Sequence, residues 1–395
     1  MPPPARLIDV TRLLSRAGRT LTGIDRVELA YLDHLLTQTL PVQALARTAL
    51  GYVLMGRAGM VAIAQASRSG AWGRPDLLSR LSRRLDLPRQ AAQALARRHA
   101  VARCLPGGLG RMLRGRVPGG AQYLNIGHSN LTDRTLTAIR ALPGAEIRIM
   151  IHDTIPLDWP DLQRIGTVPV FAAKLRRAGV FADVILCPSA TAGADIARHL
   201  AAWGRVPRIL PAHLGVVPAT PDPTALPPGL DLRAPYFVTL GTIEPRKNHA
   251  LLLDVWAQLG PTPPPLFICG SRGWRNDAVF ARLDAHPPGI TELPGLSDSA
   301  AAALIAGARG FLFPSVAEGF GLPPVEAAAL GVPVLCGDLA IWREVLREVP
   351  VYLDVADSYR WTRAVTDLLA AGAIPRTCLS PPGWEAHFKI ALSDL

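Results

Sequence analysis

The chain has 395 residues, too many for one ordinary core and enough for two domains. Hydrophobic residues make up 49% of it and mean hydropathy is +0.22, which excludes a disordered polar chain; no run of about 18 uncharged apolar residues is present to cross a membrane. Formal net charge is +11, and thirteen Arg against two Asp between Arg57 and Arg116 account for that whole excess.

The opening MPPPARLIDVTRLL is charged too early and lacks the apolar centre of a signal peptide. Leu7 to Val10 reads as a first strand, followed by a loop with Gly18 and Gly23. Ile24, Val27, Tyr31, Leu32 and Leu35 then recur at helical spacing. Strand, glycine loop, helix is the usual first unit of a doubly wound domain, whose strand-end loops face a ligand crevice, so Gly23 is a candidate ligand neighbour, an ordinary turn glycine being an equal reading on position alone.

Residues from about 56 to 120 read as a basic insertion. Leu77, Leu78, Leu81 and Leu85 make one helical face, with Arg80, Arg83 and Arg84 beside or opposite it. Ala91, Ala92, Leu95 and His99 continue the pattern after Pro88, and Gly-rich loops follow at Pro106–Gly110 and Pro118–Gly120. A solvated helix face is the ordinary reading of such charge, but thirteen Arg with almost no acid exceed it. Residues 74–116 are therefore expected to be helical and to meet an anionic membrane surface. Nucleic acid fits the charge too, but few aromatic residues are present to stack on bases, so no nucleic acid is expected.

Tyr123–Ile126, Glu146–Ile151 and Val184–Cys187 are strand-like runs ending in polar loops, and Ser189 caps a helix over Ala190–Ala202. The second run ends in His152-Asp153. At a strand's C-terminal end this pair is a catalytic candidate, although a lone His is more often structural. Pro218–Pro235 is the clearest linker, rich in proline and without periodicity. Strands at Tyr236–Gly241, Leu266–Cys269, Ile290–Leu293, Phe311–Phe313 and Val332–Leu335 alternate with helices over His249–Leu259 and Asp298–Ala306, the latter capped by Ser297. Trp384–Leu392 is a final helix. The expected domains are 1–217, with the insertion at about 56–120, and 236–375, joined by 218–235 and followed by a crossover segment 376–395. The five Cys are scattered; Cys187, Cys269 and Cys336 end apolar runs and read as core residues, and no close pair suggests zinc or a disulfide, which fits a reducing cytosolic compartment.

The most informative stretch is SVAEGFGLPPVEAAALGVP, Ser315 to Pro333. Glu318 falls in a loop after a buried strand and Glu326 in a helix opened by Pro323 and Pro324 and stopped by Gly331. Gly319 and Gly321 leave main-chain N–H groups for an anion at the positive end of that helix. A sugar diphosphate, anionic in the middle and hydroxyl-rich at both ends, suits an anion site flanked by carboxylates. On spacing alone, a turn with two solvated glutamates is an equal reading.

The whole string resembles the signature of retaining glycosyltransferases of family four, which have the GT-B fold of two Rossmann-like domains facing a cleft. The resemblance implies that Glu318 touches the transferred sugar and Glu326 the ribose, with Gly319, Phe320, Gly321 and Leu322 lining the donor. EPRKN, Glu244 to Asn248, is similar to the family's diphosphate-binding segment, which implies that Lys247 and Arg246 meet the diphosphate beside Gly241 and Thr242; many relatives carry a basic residue where Thr242 stands. IHDTIPLDWP and TGIDRVELAYLDHLL resemble a mannosyltransferase subgroup that extends O-antigen polysaccharide. The implied activity is retaining, metal-free transfer of a sugar, GDP-mannose being the expected donor, to a glycan or lipid-linked acceptor at the inner face of the cell membrane. No cofactor is implied. A GT-B sugar-nucleotide epimerase and a basic nucleic-acid-binding protein are the competing readings.

Overall fold

The computed structural model describes residues 5–80, 82, 84–372 and 378–393. Short runs, half of them buried along their whole length, form two sheets. The first holds β1 (Arg6–Asp9), β2 (Val42–Thr48), β3 (Gly51–Met55), β4 (Ala100–Cys104), β5 (Gln122–Asn125), β6 (Glu146–Met150), β7 (Val184–Cys187) and β8 (Arg208–Pro211), in the order β4-β3-β2-β1-β5-β6-β7-β8. Only β3 runs against its neighbours. The second holds β9 (Phe237–Leu240), β10 (Leu266–Cys269), β11 (Ile290–Leu293), β12 (Gly310–Phe313), β13 (Val334–Gly337) and β14 (Val351–Leu353). It is parallel throughout, in the order β11-β10-β9-β12-β13-β14. This is the GT-B arrangement. The strand order reverses between β1 and β5 in one sheet and between β9 and β12 in the other, and ligands of such sheets bind outside the strand ends at those points.

The expected caps are present. Ser189 Oγ accepts from Ala192 N at the start of helix Ala190–Ala201, and Ser297 Oγ from Ala300 N at the start of Asp298–Gly307. The last helix, Trp384–Ala391, crosses back to the first sheet. Tyr31 Oη lies 2.8 Å from His387 Nε2, and the fully buried Arg148 donates to Ala391 O at 2.7 Å and Ser393 O at 2.6 Å, satisfying carbonyls that the helix end leaves open. The expected boundary at 375/376 falls outside the described residues.

The arginine-rich block differs from its expected form. Of the helix expected through Leu85, Leu77–Arg80 is helical while Ser82, Arg84 and Leu85 are not, and Leu77 is 79% exposed; Leu81, Arg83 and the Arg80 side chain lie outside the described residues. The following helix, Leu87–Arg98, starts on an Asp86 cap and buries Ala91, Ala92, Ala94 and Ala96. Residues 74–116 are not helical throughout, because Ala100–Cys104 pairs with β3 as an edge strand. The expected loop at Pro106–Gly110 winds into a short turn and the helix Leu109–Arg114, whose Leu109, Met112 and Leu113 sit at helical spacing and are buried. The block is woven into the sheet rather than standing outside it.

Candidate active site

The β9 end supplies the cations. Gly241 has φ +147, and a Cβ there would lie 3.3 Å from Lys247 Cε, so glycine lets the lysine stem fold back along the strand end. The chain then turns through Pro245–Lys247, and Asn248 with φ 52 starts the helix His249–Gln258. Lys247 Nζ lies 4.1 Å above the Phe313 ring and 2.5 Å from Glu318 Oε1. Arg246 Nη1 lies 2.5 Å from the same oxygen and donates to Ala317 O at 2.7 Å, while Nη2 pairs with Glu244 at 2.7 Å.

The β12 end supplies the carboxylate and the amides. Val316 N donates to Arg246 O at 3.0 Å, tying the two loops together. Gly321, φ +80, begins the helix Leu322–Ala329, with Pro323 and Pro324 in its first turn; a Cβ at Gly321 would lie 2.4 Å from Trp342 Nε1. No acceptor among the described residues takes the N–H of Gly319, Phe320 or Gly321. These donors, at a helix start beside two cations, form an anion cradle. Burial pushes the Glu318 carboxyl up, but Arg246 and Lys247 more than reverse this and hold it below its ordinary value. Burial also lowers Lys247 to about 8 against the pull of Glu318.

The first domain faces this cradle with His152 and Asp153. A Cβ on Gly319 would lie 2.5 Å from His152 O and 2.9 Å from Asp153 Cβ, so the two domains meet here at glycine distance. His152 Nε2 lies 2.9 Å from Ile126 O, and a carbonyl only accepts, so that nitrogen carries the proton. Burial lowers His152 to about 4, leaving a neutral ring whose Nδ1 is an acceptor. Such a ring suits a sugar hydroxyl and not a diphosphate. Burial raises Asp153 to about 6, against the pull of Arg246.

Gly23, His152, Gly241, Thr242, Arg246, Lys247, Glu318, Gly319, Phe320, Gly321, Leu322 and Glu326 all line one cleft of about 1080 Å³ between the domains. The structure thus brings every sequence-predicted site residue together. It also adds residues that the sequence did not single out. Arg26 reaches from the first domain to Glu326 (3.0 Å) and to Asp298. Glu344 of the second domain caps helix Ala190–Ala201, accepting from Ala190 N at 2.8 Å and Thr191 N at 3.0 Å, and lies 2.8 Å from His213 Nε2. Trp274 Nε1 donates to Leu162 O at 3.2 Å. One signal was available for Arg26: a cation in the opening turns of a helix opposes the dipole and needs a partner elsewhere.

Residues 227–372 match the family model for Glycosyl transferases group 1. This part of the chain is a group 1 glycosyltransferase domain. The chain is 32% identical over 274 residues to the serotype-specific mannosyltransferase WbdA of Escherichia coli, covering 64% of this chain and 34% of that protein. It is 37% identical over 128 residues to the O-antigen chain mannosyltransferase B of Escherichia coli, 31% of this chain and 33% of the relative. It therefore spans about a third of the length of these relatives. Among solved structures, Anabaena Alr3699/HepE in complex with UDP and glucose aligns over 98% of this chain and 92% of that one, at TM-score 0.57 and 13% identity. TarM aligns over 68% and 52%, at TM-score 0.51 and 11% identity. These likenesses bear on the fold.

Proposed function

We propose that this chain transfers a sugar, mannose, from a nucleotide diphosphate donor, GDP-mannose, to a glycan or lipid-linked acceptor in cell-surface polysaccharide synthesis. The observation that carries the reading is the anion cradle: Lys247, Arg246 and three unbonded amides at the β9/β12 switch point, with Glu318 between the cations. The mannosyltransferase relatives support the choice of sugar.

In this reading the donor diphosphate lies on the amides of Gly319–Gly321 beside Lys247. Charge that develops on the leaving diphosphate is met by donors already in place. Glu318 orients the transferred sugar, Glu326 the ribose, and neutral His152 accepts a sugar hydroxyl from the first domain. The acceptor attacks on the face from which the diphosphate leaves, and the departing oxygen takes the acceptor's proton, so the anomeric configuration is retained. The protein cations provide the neutralisation, without a metal ion. Residues 1–217 and 236–375 act as the two halves that close on the donor, with 218–235 as the linker between them.

A thermal-shift panel of nucleotide sugars tests the donor, because selective binding stabilises by mass action. GDP-mannose is expected to raise the midpoint above UDP-, ADP- and dTDP-sugars. No shift with any of them contradicts the reading. Product analysis without acceptor separates it from an epimerase.

The same reading includes peripheral attachment to the inner face of the membrane. Asp76 is taken by Arg97 and Asp86 by Arg89, while Arg74, Arg84, Arg103, Arg111, Arg114 and Arg116 pair with no carboxylate among the described residues. Leu77, Leu87 and Leu105 are each at least 70% exposed in the same block. Anionic lipid contributes about 1 kcal/mol per Arg near its surface. Binding to anionic but not neutral vesicles, falling with salt, is expected; equal binding to both, or to neither, contradicts it.

A further inference from the structure

Arg26 stands early in the helix Gly23–Thr37. Its guanidinium leaves the first domain altogether. Nη1 lies 3.0 Å from Glu326 Oε1, and Nη2 donates to Asp298 Oδ1. All three residues line the cleft, and a Cβ on Gly23 would lie 3.3 Å from Leu322 Cδ1, so the start of this helix leans on the glycine-rich loop that begins helix Leu322–Ala329. Among the described residues the Arg26 guanidinium makes no other hydrogen bond, and Glu326 Oε2 accepts none.

The chemistry of the group matters here. A planar guanidinium fork can bridge two carboxylates at once, whereas an ammonium is a single point of charge. Glu326 and Asp298 stand within reach of one guanidinium, and without it they would stand as neighbouring like charges on the second domain's side of the cleft. Arg26 occupies one oxygen of Glu326 and fixes the direction of the other.

We propose that Arg26 is a positioning residue for the nucleotide donor: it holds Glu326 by one carboxylate oxygen, leaves the second for the ribose hydroxyls, and so makes the first domain part of the donor site. The inference rests on Glu326 as the ribose ligand. It makes donor binding and domain approach one linked equilibrium, since whatever fixes Glu326 for the ribose also holds Arg26, and the coupling is reciprocal.

Calorimetric titration of the full chain with GDP, UDP and ADP tests this, comparing wild type with Arg26→Ala, Arg26→Lys and Asp298→Asn. Hydrogen bonds to charged groups are worth enough that Arg26→Ala should weaken the nucleotide that wild type binds by about tenfold or more. Arg26→Lys should recover part of this and not all, because one ammonium does not bridge both carboxylates. Asp298→Asn should weaken binding in wild type and do so much less once Arg26 is Ala. The deciding titration uses the 2′,3′-dideoxy form of the nucleotide bound. An Arg26 that acts through the ribose makes no difference there, so wild type and Arg26→Ala should bind that form equally. An Arg26→Ala protein that binds GDP as wild type does overturns the inference alone, as does equal weakening of the ribose and dideoxy forms. A wild-type protein that binds no nucleoside diphosphate overturns the glycosyltransferase reading together with it.

Discussion

Replacing Gly319 with Ala tests whether the two domains must meet as closely as the structure has them. Gly319 does not lie in the left-handed region, so alanine strains no backbone and the effect is one of space. The added Cβ would sit 2.5 Å from His152 O and 2.9 Å from Asp153 Cβ, where real Cβ atoms essentially never come within 3.0 Å. His152 and Asp153 belong to the first domain, so the clash opposes the approach of the domains and leaves the interior of each intact. Overpacking of this size costs about 1–3 kcal/mol. At 1.4 kcal/mol per factor of ten, the closed form loses roughly 5- to 140-fold in population. Steady-state turnover of the nucleotide sugar should fall by that factor. The thermal midpoint should hold within a few degrees, and the radius of gyration from solution scattering should grow. Full turnover with unchanged scattering would show that closure at Gly319 is not needed for the reaction.

Lys247→Ala should lower turnover by about 10²–10³, the usual effect of removing one group that stabilises developing charge; Glu318 keeps Arg246 as partner, so the midpoint should move little. Lys247 carries its charge below about 8 and loses it above, so kcat/KM for the donor should decline on the alkaline side of that value, and a flat profile to pH 9 would remove Lys247 from the step. Glu28 is fully buried, and burial and then Asp9 push it well above its ordinary value. An acid raised in the folded state binds more protons folded than unfolded, so its contribution to stability falls as pH rises above the unfolded value of 4.5. Glu28→Gln should therefore gain a few degrees over wild type at pH 8 and little near pH 5; a gap that does not change with pH would refute that assignment.

Much of the second domain was legible because its signals are local. The apolar runs of β10 and β12 are buried throughout and β9 over all but Leu240, and the Ser297 cap and Pro323-Pro324 mark helix starts within a few residues. Lys247 and Glu318 each follow their strand within ten residues, so strand ends alone brought them to one crevice. Strands β2 to β4 were not legible. VQALART and AVARC interleave polar and apolar residues, AVARC at the sheet edge, and the neighbouring arginines read as helix faces. Contacts across the cleft were equally hidden. Arg26 meets Glu326 over 300 residues, and Glu344 caps Ala190 over 154, distances at which no periodicity or spacing operates.

Sugar transfer itself is tested most directly by following purified protein with GDP-mannose and a manno-oligosaccharide acceptor by proton NMR. GDP release is expected in step with a new mannosyl linkage of the donor's own α configuration, lost in Glu318→Ala while GDP still binds. A β-linked product would contradict the same-face mechanism, and no transfer or binding with GDP-mannose or any other nucleotide sugar would contradict the function.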